Sequence, residues 1–292
     1  MWAIGWKNAA TMPLASGLDK ARPAVILARR TDQRGGSDVT TIKAVTFDLW
    51  DTIVDDDSDE PKRAARGLLS KREQRRQLLW QALDAEAPTD PAAVTLAYDT
   101  ADAGFNLVWR ELHINWTVEQ RLRVALNGLG RSLPAVALAQ VVEATGRMEL
   151  EISPDPIPGI AGALAELATR YRLAVVSDAI VTPGRNLRLI LEKYDLLRYF
   201  SGFAFSDEVG YAKPHRAMFE AAAAQLGVEL REIVHVGDRE HNDVKGPHAL
   251  GIKSVLFTAT RPDDKDGTTA DAVCERHADL PAVIDRLAAA VR

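Results

Sequence analysis

Short, nearly continuous apolar runs recur along the chain, at residues 42–47, 173–176, 233–236 and 253–257, with a weaker one at 202–205. Each breaks at its C-terminal end into polar residues: Asp48, Ser177-Asp178, Gly237-Asp238, Thr258 and Ser206-Asp207. Runs of this length, rich in β-branched residues and bounded by turn formers, predict buried strands. Helical periodicity fills the intervals, over residues 160–171, 185–194 and 217–226, the last ending at Gly227. Strands without alternation, separated by helices, predict a parallel sheet covered on both faces: an α/β, doubly wound architecture. In such sheets the polar residues at the strands' C-terminal ends are where sites are built.

One interval is far longer than a crossover helix needs. Residues 58–156 contain no good strand but four amphipathic stretches, at 74–85, 91–112, 118–126 and 133–148. This predicts an all-helical cap subdomain inserted after the first strand, with residues 42–57 and 157–292 forming the α/β core. The acidic run 55–60 reads as a solvated loop. Residues 1–41 lack this patterning and read as an extension outside the fold or an early start codon. Their apolar stretch is too short, and followed by charge rather than preceded by it, for a secretory signal.

Composition narrows the function classes. Thirty-six basic against forty-one acidic residues leave a net charge of −5, so nothing suggests a nucleic-acid or anionic-membrane surface. No apolar run approaches the ~20 residues of a membrane span. A single cysteine, Cys274, excludes an internal disulfide and a cysteine zinc site, and no neighbour marks it as a nucleophile. The expectation is a cytoplasmic protein, monomer or homodimer, acting on a small molecule.

Four polar elements fall in order at strand ends: Phe47-Asp48-Leu49-Trp50-Asp51-Thr52-Ile53, then Ser177-Asp178, then Lys213-Pro214, then Gly237-Asp238-Arg239-Glu240-His241-Asn242-Asp243. Together they resemble the haloacid dehalogenase superfamily of phosphatases and related hydrolases, over residues 42–257, with the insertion matching the family's helical cap. The resemblance implies Asp48 as a carboxylate nucleophile. It implies Ser177 and Lys213 as groups that meet the phosphoryl oxygens, with Thr52 and Asp178 beside them. Asp238 and Asp243 are hard oxygen donors suited to Mg²⁺, together with Asp48 and the backbone carbonyl of Trp50. Three carboxylates converging on Lys213 would carry about two surplus negative charges, which a divalent cation would balance.

One position departs from the pattern. Family phosphatases usually carry a second Asp two residues after the nucleophile, as general acid and base; this chain has Trp50, whose indole exchanges no proton near neutral pH. Asp51 reads as a turn residue and His241 as a surface residue, the two candidates for a substitute. Substrates whose leaving groups need no proton, such as acyl or aryl phosphates, should therefore fare best.

Trp50 is also what the metal-free dehalogenase branch would show, although Gly237-Asp238 is phosphatase-like. Hydrolysis of a small phosphorylated metabolite is the leading reading. Dehalogenation of a 2-haloacid, and a phosphate-binding regulatory protein with little turnover, are the alternatives. Trp80, Trp109 and Trp116 are expected in the cap's own core, Lys62, Arg63 and Arg66 on a solvated basic face, and His235 in packing.

Overall fold

The computed structural model describes residues 41–290, so the reading of residues 1–41 lies, but for Thr41, outside the described residues. Six strands form one all-parallel sheet: β1 (Ala44–Phe47), β2 (Arg172–Ser177), β3 (Gly202–Phe205), β4 (Ile233–Gly237), β5 (Lys253–Phe257) and β6 (Ala272–Cys274). The spatial order is β3-β2-β1-β4-β5-β6. The first five were expected. The three-residue edge strand β6 was not, being too short to leave a periodic signal. Around the sheet and beyond it lie α1 (Glu60–Ala65), α2 (Lys71–Glu86), α3 (Pro91–Leu112), α4 (Val118–Gly128), α5 (Ala135–Glu151), α6 (Ile160–Leu167) and α7 (Gly184–Lys193). The chain continues with the single turn α8 (Ser206–Val209), α9 (Arg216–Leu226), the turn α10 (Gly246–His248) and α11 (Leu280–Ala289).

The pleat sorts side chains to opposite faces. Val45, Phe47, Leu173, Val175, Val234 and Val236 join one buried cluster with α6, α7 and α11. Ala44, Ala174, Val176, Ala204 and Ile233 join the other, beneath α9. Both faces are therefore dry, which is why the strands lack alternation.

Between β1 and α6 come only helices, α1 to α5, as the patterning predicted. Their starts are legible in the chain. Ser70 with Glu73, and Thr117 with Gln120, form capping boxes for α2 and α4, while Asp90 caps α3 ahead of Pro91. Leu79, Leu83, Val94, Tyr98, Leu122, Leu138 and Val141 make a separate apolar core for these helices. The chain leaves and returns at one point. Val54 bridges Pro156, and the Asp55 amide donates to the Asp155 carbonyl at 2.9 Å.

The run 55–60 is not the solvated loop expected. Asp59 is fully buried, and α1 begins at Glu60. The basic face is also different from the expectation. Lys62 donates to the Ser153 carbonyl and pairs with Asp155, each at 2.7 Å, tying the insertion's neck. Arg63 is buried, held by the Leu69 carbonyl and Gln74, while Arg66 is exposed as expected. No described helix is long and apolar enough to cross a membrane.

Candidate active site

Register assembles the site. Phe47 of β1 lies between Val175 of β2 and Val236 of β4, so residues that follow these three strands meet at one edge of the sheet. Asp48 ends β1, Asp178 follows β2 and Asp238 follows β4. The Asp48 amide donates to the Val236 carbonyl at 2.8 Å, which fixes the first of them.

Lys213 reaches the same point. Its ammonium lies 2.9 Å from Asp48 Oδ1 and 2.6 Å from Asp243 Oδ1, and the residue is 3% exposed. Burial opposes the charge, but the carboxylates of Asp243, Asp48 and Asp178 outweigh it, so the ammonium holds its proton more tightly than usual. Burial would likewise lift the Asp243 carboxyl. Lys213 and His235 outweigh that and hold it well below the usual carboxylate range.

His235 does more than pack. It is buried inside β4, and burial holds its imidazole below the ordinary value, hence neutral. With its proton on Nε2 it donates to Asp243 Oδ1 at 3.1 Å and accepts from the Thr46 hydroxyl at 2.9 Å. Gly237 makes room for this arrangement: a Cβ there would stand 2.3 Å from Asp243 Cγ. The strand end must be glycine because the carboxylate folds back over it.

Carboxylate oxygens of Asp48, Asp238 and Asp243 lie within 4.8 Å of one another, and they are the one such acidic group among the described residues. Two further cations stand near them. Arg239 and Arg261 approach Asp238 Oδ2 at 3.5 and 3.6 Å. Lys213 is thus not the sole nearby cation, and the charge count alone no longer calls for a dication. The oxygens do. Both carboxylate oxygens of Asp238 are buried without a hydrogen-bond partner, and burial, with Asp243 and Asp48 close by, pushes this group up to about 8. Three hard donors around one point, one with two unused oxygens, fit a Mg²⁺ ion.

A cavity of about 190 Å³ opens beside the cluster. Asp48, Trp50, Asp178, Lys213, Arg239 and Asn242 border it from the core, and Asp56, Lys71, Arg75, Trp109 and Glu149 from the inserted segment. Thr52 and Ser177 do not border it; their hydroxyls are buried without partners. Asp51 takes a left-handed turn (φ 54°) and its carboxylate accepts from the Asp56 amide, as a turn residue should. His241 is exposed, its ring 5.9 Å from that of His113.

Trp109 is a correction: it leaves the helical core and borders the cavity, its indole N–H donating to Asp178 Oδ2 at 3.2 Å. Trp50 donates to the Asp178 carbonyl, also at 3.2 Å. Trp80 and Trp116 stay among the inserted helices as expected, Trp80 donating to the Thr89 carbonyl and Trp116 packing near Phe105. Burial raises the Asp178 carboxyl to about 6, against the pull of Lys213.

Sequence reasoning missed the second charged cluster altogether. Lys71 stands among Asp59 (2.9 Å), Asp57 (3.0 Å) and Glu149 (3.1 Å), and Thr182 donates its hydroxyl to Glu149. Arg75, one turn along α2, has no acidic partner among the described residues, and its Nε is buried without an acceptor. These residues converge from across the chain, and no local motif announces them.

The comparisons agree with the geometry. A family model described as haloacid dehalogenase-like hydrolase matches residues 42–251. The chain belongs to the haloacid dehalogenase-like hydrolases. Among solved structures, a phosphatase of this family from Thermococcus onnurineus superposes with a TM-score of 0.55 at 22% identity, covering 83% of this chain and 98% of that one. That likeness shows the fold.

Among curated relatives, a glyceraldehyde 3-phosphate phosphatase of Methanopyrus kandleri is 28% identical over 127 residues, 43% of this chain and 53% of that protein. A ribulose-1,5-bisphosphate 5-phosphatase of Halopiger xanaduensis is 35% identical over 89 residues, 30% of this chain and 37% of that protein. The chain spans about half or less of the length of these relatives.

Proposed function

We propose that this hydrolase is a Mg²⁺-dependent phosphatase acting on a small phosphorylated metabolite, with helices α1 to α5 serving as its cap. The observation that carries this reading is the Asp48–Lys213–Asp243 cluster, with both oxygens of Asp238 buried beside it without a hydrogen bond. Named phosphatases among the relatives support it.

Asp48, Asp238 and Asp243, with the Trp50 carbonyl, would hold the ion. When bound, it supplies positive charge that lets an anionic phosphoryl group approach three carboxylates. Asp48 attacks phosphorus: an oxygen–phosphorus bond forms to its carboxylate as the ester bond breaks, and the leaving oxygen takes the electron pair. Water then attacks the aspartyl-phosphate and releases inorganic phosphate, restoring Asp48.

Lys213 offsets charge on the transferring group, and the preorganised ammonium needs no rearrangement to do so. The Ser177 hydroxyl, with no partner of its own, is a spare donor next to Asp178. Trp50 gives no proton to the leaving oxygen, so aryl and acyl phosphates are favoured over alkyl esters. Arg75 faces whatever the substrate carries beyond its phosphoryl group. The cavity volume suits a metabolite rather than a polymer.

The test is Asp48→Asn with p-nitrophenyl phosphate and Mg²⁺. Turnover should fall at least ~10³-fold while the melting temperature stays near that of the parent. Undiminished turnover would remove Asp48 as nucleophile. Halide release from a 2-haloacid that survives EDTA would replace the phosphatase reading with the dehalogenase one.

A further inference from the structure

The residues just after α3 pair directly with the lysine loop, and Trp109 of its last turn reaches that loop through Asp178. Ile114 forms an isolated antiparallel bridge with Tyr211. The amide of Ala212 donates to the carbonyl of His113, the left-handed residue that ends α3, at 2.7 Å. The amide of Lys213 donates to Asp178 Oδ1 at 2.9 Å, and the other oxygen of that carboxylate accepts from the Trp109 indole of α3. Asp178 itself is 8% exposed, so neither oxygen has bulk water as an easy substitute. The inserted helix therefore grips the backbone on both sides of the Ala212–Lys213 peptide, once directly and once through a shared carboxylate.

We propose that α3 positions Lys213, with Trp109 acting through Asp178, so that the ammonium is correctly placed only while the inserted helices are docked on the core. This rests on the reading of Lys213 as the cation that meets the reacting group. It assigns to the inserted segment a part in assembling the reaction centre, beyond selecting the substrate. Trp109 is here a positioning residue. A Lys213 amide released from Asp178 would let the side chain drift from Asp48, and small displacements of a charged group weaken its action on the reacting atoms.

The experiment is a cycle of variants in the full chain, assayed with p-nitrophenyl phosphate and Mg²⁺. Trp109→Phe keeps the aromatic wall and removes only the N–H. It should lower kcat about 10- to 30-fold and leave KM within about threefold. Asp178→Asn should do the same, because its amide can still accept from Lys213 but meets the indole N–H with another donor. In a Lys213→Ala background, Trp109→Phe should cost less than twofold. Trp80→Phe, which removes a hydrogen bond internal to the inserted helices, should change neither constant.

A second readout does not need turnover. Amide hydrogen exchange of residues 211–213, followed by mass spectrometry, should quicken several-fold in Trp109→Phe and not in Trp80→Phe. Equal losses of kcat with and without Lys213, or unchanged exchange in the loop, overturns the proposal. If the parent protein hydrolyses no phosphate ester, the phosphatase reading falls, and exchange alone decides whether α3 holds the loop.

Discussion

Among the described residues two lysines are buried among carboxylates, and they are built differently. Lys71, in the inserted helices, stands between its acids: Asp59, Asp57 and Glu149 each approach the ammonium within 3.1 Å, and Thr182 takes Glu149's other oxygen. Lys213 lies in the core. It meets Asp48 and Asp243, while Asp238 crowds against the same two carboxylates with neither oxygen hydrogen-bonded, Arg239 and Arg261 approaching only Oδ2, at 3.5 and 3.6 Å. The first arrangement leaves one carboxylate oxygen, Asp59 Oδ2, without a hydrogen bond. The second leaves like charges facing each other and oxygen donors unused. The difference lies in what is left over: one oxygen beside Lys71, and a whole carboxylate beside Lys213.

The largest effect that would break this contrast comes from removing each cation. Lys71→Met and Lys213→Met should each cost roughly 3–5 kcal/mol, because each strands buried carboxylates. Chemical denaturation with and without Mg²⁺ separates them. The ion should recover much of the Lys213→Met loss and leave the Lys71→Met loss as it was. Equal recovery in both would erase the distinction.

Trp50→Asp sharpens the same comparison from the chemical side. It should raise turnover of an alkyl phosphate ~10²-fold, since only the proton donor is missing from the core cluster. A parent protein that binds phosphate yet gains nothing from this change would be a binding protein rather than an enzyme. Gly237→Ala comes next. Its new methyl meets the Asp243 carboxylate, so stability should fall by roughly 1–3 kcal/mol, and Mg²⁺ affinity measured by calorimetry should fall with it.

The smallest effect concerns Asp56, on the inserted side of the cavity. Burial, with Asp57 adding to it, raises its carboxyl from 3.8 to about 7. The native state therefore holds this proton more tightly than the unfolded chain does. Its contribution is favourable at low pH and is lost as pH climbs from about 4 through 7. Asp56→Asn has no such slope. Relative to the parent it should gain on the order of 1–2 kcal/mol between pH 4.5 and 8, read from denaturation midpoints. A parallel pH profile for the two proteins would mean the group is not buried in solution.

The two clusters also differ in how far they can be read from the chain. Asp48, Lys213, Asp238 and Asp243 sit beside strand ends and loops whose apolar runs and turn residues are local signals, so their convergence was legible. Lys71 and Glu149 lie 78 positions apart on different helices, each looking like an ordinary solvated residue in its own window. Trp109 fits the apolar stripe of α3 as well as it fits a cavity wall, and only tertiary packing decides between them. Periodicity reports which face of a helix is buried, not what it is buried against.

The neck of the insertion has a further consequence. With the Asp55 amide bonded to the Asp155 carbonyl, the intervening chain is a loop already shut at its base, independent of its contents. Closure entropy grows only with the logarithm of loop length, by about 0.6 kcal/mol for each doubling. The sheet can thus carry inserts of very different size for nearly the same conformational cost, and the insert can diversify without renegotiating the stability of the part that holds Asp48.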